Sequence, residues 1–120
     1  MNLLKNTLAA NAVFSTASGI LLAIFPEKFA QFFELENVLV FRIIGVILLF
    51  FAGFVFSQVK NYDVKLVKFI ISQDALWVFG SALLLLLQPF GISETGNYMI
   101  GGVAVIVLLF AIGQQQGLKN

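Results

Sequence analysis

An all-α membrane fold is what this sequence predicts: a four-transmembrane-helix bundle with a short amphipathic interfacial helix between helices 1 and 2. Three observations carry the prediction. Of 120 residues, 60% are hydrophobic and 11% charged, with a mean hydropathy of +0.99, far from the composition of a soluble domain. Four apolar runs, at about residues 6–25, 38–58, 69–88 and 98–113, read as membrane spans. Between the first two, at about residues 27–36, phenylalanines alternate with charges. The chain has room for one membrane domain, residues 1–120, and no second unit.

The first span carries no charge and closes at Pro26, which cannot donate the next helical hydrogen bond. A cleavable signal peptide is the competing reading of its basic start, MNLLK, but Asn11, Ser15, Thr16 and Ser18 interrupt the apolar run such a peptide needs. On a helix, Asn11, Ser15 and Ser18 share one face. Ala12, Thr16, Gly19 and Ala23 form a neighbouring small-residue stripe, the kind membrane helices use to approach closely.

In PEKFAQFFELEN, Phe29, Phe32 and Phe33 fall at i, i+3 and i+4. That spacing predicts a helix lying in the interface, rings toward the acyl chains and acids toward water. A lid or docking segment is the alternative. The second span carries Arg42 one turn inside its start and offers Gly45, Ala52 and Gly53 as close-packing points. A polar link, KNYDVKLVK, leads to the third span, which ends at Gln88-Pro89-Phe90-Gly91. Residues 92–97 read as a turn-rich loop, followed by the fourth span, with Gly101 and Gly102 as packing positions and Gln114, Gln115 and Gln116 fraying its end. As the shortest span, it would need tilt or local thinning of the bilayer.

Lys5, Lys60, Lys65, Lys68 and Lys119 all fall on one side of a four-span layout; Lys28, Glu27, Glu34, Glu36 and Glu94 fall on the other. The positive-inside rule then makes both termini cytoplasmic, in what reads as a bacterial inner membrane. The chain has neither histidine nor cysteine, which removes zinc centres, thiolate chemistry, disulfides and iron–sulfur clusters, and no cofactor is expected. A net charge of +1 without a basic cluster speaks against nucleic acid. The expected partners are the lipid bilayer and other membrane subunits or further copies of the chain.

Asp74 is the acid set among apolar residues, and a carboxylate in hydrocarbon needs a partner. It lies six residues past Lys68, roughly 9 Å deep, and Asn11 lies six past Lys5, at a matching level. Asp74 is therefore expected to accept hydrogen bonds from Asn11 and Ser15. Trp77 and Ser81 continue its face, read as buried packing. Arg42 belongs near the opposite surface, roughly 14 Å away in a core about 30 Å thick, so it is expected to anchor the interface, reaching lipid phosphate or a nearby glutamate. Two roles for Asp74 stand side by side: interhelical glue, or a proton- or substrate-binding carboxylate.

The run Asn11-Ala12-Val13-Phe14-Ser15, with Ser18-Gly19 and Phe25-Pro26, resembles the start of an uncharacterised group of small bacterial four-helix membrane proteins. The run from Asp74 to Leu83 resembles their third helix. The resemblance implies the four-helix fold and brings no assigned activity. In size and span count the layout also looks remotely like DoxX-type proteins. Small multidrug transporters share the plan, but their first-span glutamate has no counterpart here. With no nucleophile–base pair, metal-ligand set or phosphate loop in view, the sequence reads as a non-enzymatic accessory or assembly component of a membrane complex. The alternative is a small proton-coupled transporter or lipid- or hydrophobic-ligand-binding protein using Asp74. A water-accessible polar cavity around Asp74 is expected of transport, and a dry, packed site of an accessory subunit.

Overall fold

The computed structural model describes residues 3–88 and 91–119. They form five helices: α1 (Leu3–Ile24), α2 (Pro26–Phe33), α3 (Val38–Ser57), α4 (Val64–Leu87) and α5 (Glu94–Lys119). Among the described residues there is no strand. α1, α3, α4 and α5 are each long and apolar enough to cross a membrane, and α2 is the short helix expected between the first two.

Local chemistry sets the boundaries. Pro26 breaks the ladder after α1 and starts α2, where its missing N–H goes unneeded. α2 ends at Glu34, in the left-handed region at φ 57°, with Leu35 N donating to Ala30 O at 3.0 Å. Asn37 caps α3 by accepting from Val40 N at 3.2 Å. Asp63 caps α4 by accepting from Lys65 N at 2.9 Å, so α4 begins at Val64 rather than near residue 69. The helix starts where the backbone donors are capped, ahead of the point where the apolar run begins.

The last helix departs furthest from expectation. Read as the shortest span, it is the longest helix, 26 residues from Glu94 to Lys119. Glu94 to Asn97 form its first turn rather than a loop, and Gln114, Gln115 and Gln116 continue it rather than fray it. Glutamine is a good helix former, and a drop in hydropathy marks the edge of the apolar layer, not the end of hydrogen bonding. At the α4–α5 junction, Gln88 and Asn97 exchange amide hydrogen bonds at 3.1 and 3.3 Å. Pro89 and Phe90 of the expected turn lie outside the described residues.

The helices run up and down. Leu4, Leu8 and Ala12 from the start of α1 pack with Val55 near the end of α3 and with Val67 and Ile70 from the start of α4; Leu118 at the end of α5 joins them. All five lysines of the basic side therefore gather at one end of the bundle. At the other end α2 lies across the bundle. Its Phe33 ring packs edge-on to Phe41 at 5.1 Å, Ser93 N donates to Phe33 O at 3.1 Å, and Ser93 Oγ donates to Phe32 O.

α1 is the central helix, packed against α3 on one side and α5 on the other, and α5 in turn packs on α4. The α1–α3 crossing rests on two glycines: a Cβ on Gly45 would stand 2.6 Å from Ala23 N and 2.8 Å from Gly19 O. The small-residue stripe thus does what was expected of it. Gly53 and Gly102, expected to pack closely, face open space instead, and a Cβ on Gly101 would meet Leu85 only at 3.8 Å. The close contacts of α5 are made further along, by Gly113 against Thr7 and Gly117 against Leu4. α3 and α4 meet at the lysine end, where Phe54 packs edge-on to Phe69 at 5.8 Å, and do not pack along the rest of their length.

Candidate functional site

Three helices bring their polar side chains to one point. Asn11 of α1 donates through Nδ2 to Asp74 Oδ2 of α4 at 3.0 Å. Gln114 of α5 donates through Nε2 to the same oxygen at 2.9 Å. Asn11 Nδ2 also donates to Gln114 Oε1 at 3.0 Å, and Ser15 Oγ donates to Asn11 Oδ1 at 3.1 Å. All four residues are buried; Gln114 has no exposed surface at all, and Asp74 keeps 4%. The cluster fastens α1, α4 and α5 at one level, as the depth argument predicts for Asn11 and Asp74.

Two details correct that argument. Ser15 does not reach Asp74; one turn along α1 from Asn11, it bonds the Asn11 carbonyl instead and holds that amide with its N–H groups toward Asp74. Gln114, read as part of a frayed end, is a full member of the cluster. Depth alone could have found it, since it stands little more than a turn from Lys119, at the level where Asn11 and Asp74 stand from their lysines.

Asp74 also lines a cavity of about 880 Å³ that fills the space between α1, α3, α4 and α5. Its walls are apolar: Leu22 on α1, Ile44 and Leu48 on α3, Val103 and Val107 on α5. Phe29 and Phe33 of α2, with the buried Ile92, close one end. The other end is closed by the packed cluster of Leu4, Leu8, Ala12, Val55, Val67 and Ile70. What remains is the side, where α3 and α4 part company above Phe54 and Phe69. Val40 and Ile47 on α3, and Leu76 and Trp77 on α4, line the cavity and stand exposed, which marks this seam as a mouth; Leu21 on α1 also lines the cavity and is exposed. The cavity is a cleft open along one side of the bundle.

The Asp74 face is therefore not the packed face expected of it. Trp77, at 37% exposure, stands at the mouth, and the buried Ser81 lines the wall. No protein-family model, curated protein or solved structure matches this chain. The site has to be read from its own chemistry.

Each member of the cluster has its partners, and one acceptor is left over. Asp74 Oδ2 takes both N–H bonds, while Oδ1 takes none of them. Asp74 itself lines the cavity, and among the described residues no side chain donates to Oδ1. Arg42 plays no part here. It is exposed at the far end, where its Nε donates at 3.3 Å to Ala23 O, a carbonyl just before the break at Pro26. Its place at the end away from the lysines is as expected, and there it bonds a helix-end carbonyl.

Proposed function

We propose that this chain is an intramembrane binding protein for a hydrophobic ligand, which enters sideways from the bilayer and lies in the cleft between α3 and α4. The observation that carries the reading is the cavity itself. A volume of about 880 Å³ is within the usual size of small-molecule sites, and its apolar walls with a few converging polar groups have the usual character of one. An accessory subunit would have the Asp74 cluster packed dry on every side. A conducting transporter would need a wet path to Asp74, whereas the lysine end is plugged by apolar packing and the other end is covered by α2. The site holds a ligand rather than performing a reaction. The lysine asymmetry supports an orientation with both termini cytoplasmic, in what we take to be a bacterial inner membrane. A reporter fused after Lys119 should then read cytoplasmic, and one inserted at Glu94 periplasmic.

Two glycines test the binding reading. Gly80 lines the cavity and a Cβ there meets nothing within 4 Å, so Gly80→Phe adds a bulky side chain at the cavity wall from an uncrowded backbone position. Gly102 is equally open but lies outside the lining, so Gly102→Phe is the control. The measurement is mass spectrometry of small molecules retained by the protein in lipid nanodiscs. The wild type and Gly102→Phe should each retain an amphiphile close to one per chain, and Gly80→Phe should lose it. Equal retention by Gly80→Phe, or an empty wild type, overturns the reading.

A further inference from the structure

We infer that the ligand is a single-chain amphiphile with a cationic amine head, and that Asp74 Oδ1 is the group that receives it. The inference rests on the cavity-binding reading and adds the chemistry of the head. Among the described residues lining the cavity, Asp74 is the one that carries an ionisable group; the other polar members are neutral amides and hydroxyls, Asn11, Ser15, Ser18, Gln73 and Ser81. No lysine or arginine faces the carboxyl from α1, α3, α4 or α5. The Asp74 carboxyl, at 4% exposure, has no cation beside it, and a cationic head in the cleft would supply the counter-charge for its ionised form.

The geometry says which oxygen is offered. Asn11 and Gln114 both direct N–H groups at Oδ2, which holds the carboxyl in place and leaves Oδ1, on a residue that lines the cavity, as the oxygen still open to a donor. An ionised carboxylate only accepts hydrogen bonds, and the bonds it forms with a charged donor are the strong ones. An ammonium head supplies both the donor and the charge. An anionic head such as a fatty carboxylate would meet like charge in a low-dielectric wall. The rest of the lining then dictates the remainder of the molecule: from Asp74 the apolar walls continue toward α2, so the chain lies along α3 and α4 with its tail beneath Phe29 and Phe33. A head placed at Asp74 and a tail placed at α2 fit a ligand that slips in through the side.

The probes are dodecylamine, dodecanol and dodecanoate, equal in chain length and differing in head. Trp77, the single tryptophan of the chain, stands at the mouth and reports occupancy. A brominated long-chain alcohol bound in the cleft quenches Trp77, and displacement of that quencher by each probe is followed in detergent. With the wild type, the amine should displace it at a concentration about tenfold or more below the alcohol, and the carboxylate should be weakest. In Asp74→Asn the amine and the alcohol should come within about twofold of each other. Equal displacement by amine and alcohol in the wild type overturns the inference while leaving the cavity reading intact. An amine preference that persists in Asp74→Asn also overturns it, because the preference then arises elsewhere. If no probe displaces the quencher and the quencher itself shows no saturable binding, it is the cavity reading that falls. The comparison of heads on the wild type stands even if Asp74→Asn does not fold.

Discussion

Asp74 has one oxygen that accepts both protein hydrogen bonds and one that accepts neither, and this division lets its structural and binding roles be separated by substitution. Asp74→Asn can keep its carbonyl toward Asn11 and Gln114 and turn its N–H₂ group to the cavity. The cluster survives, and stability should fall by about 1 kcal/mol or less. Asp74→Leu removes the acceptor and strands two buried N–H groups, for a loss of about 2 kcal/mol. Gln114→Leu lies between, since Asn11 keeps its bond to Asp74 and loses only the one to Gln114. Thermal unfolding in detergent gives the ranking. If Asp74→Leu is as stable as Asp74→Asn, the cluster does not hold α1, α4 and α5 together.

At the scale of helices, the glycines divide by what stands opposite them. Gly45→Ala puts a methyl 2.6 Å from the backbone of α1, which has no side chain to move aside, and should destabilise the bundle by about 1–3 kcal/mol. Gly53→Ala on the same helix meets nothing and should be neutral or stabilising by about 0.5–1 kcal/mol, as expected for alanine in a helix. Thermal unfolding of the two variants side by side tests the crossing; equal effects would place the α1–α3 contact elsewhere. The sequence makes the small stripe of α1 legible because a helix fixes which of its own residues share a face. It does not reveal which of two equally spaced glycines will meet a neighbour. Gly45 and Gly53 look alike until the crossing point of α1 and α3 is known. The same gap explains the polar site. Asn11 and Asp74 could be paired by depth, since both lie inside apolar runs bounded by lysine. Gln114 sits where hydropathy falls, so a reading based on apolar runs stops short of it. The cleft is a property of how far α3 and α4 diverge, and no local pattern records that.

Taken whole, the bundle is sealed at both ends and open along one side. α2 is tied over one end through Ser93, and the apolar cluster around Leu8 and Ile70 fills the other, which favours the α3–α4 seam as the route between cavity and surroundings. The register of that seam follows from Phe54 facing Phe69: counting the same number of residues along each antiparallel helix brings Ile47 level with Leu76. Both line the cavity and both are exposed, at 59% and 60%. The chain has no cysteine, so a pair introduced at Ile47 and Leu76 can be bridged selectively by a flexible bis-maleimide. A second pair at Phe54 and Phe69 bridges the two helices where they already touch and controls for tethering as such. With the brominated alcohol as quencher of Trp77, the bridged mouth should slow the onset of quenching about tenfold or more, while the bridged control should match the unbridged protein. A bridged mouth that fills at the unbridged rate would mean that the ligand passes α2 or the lysine end instead. The lateral route, and with it the claim that the bilayer supplies the ligand, would then be wrong.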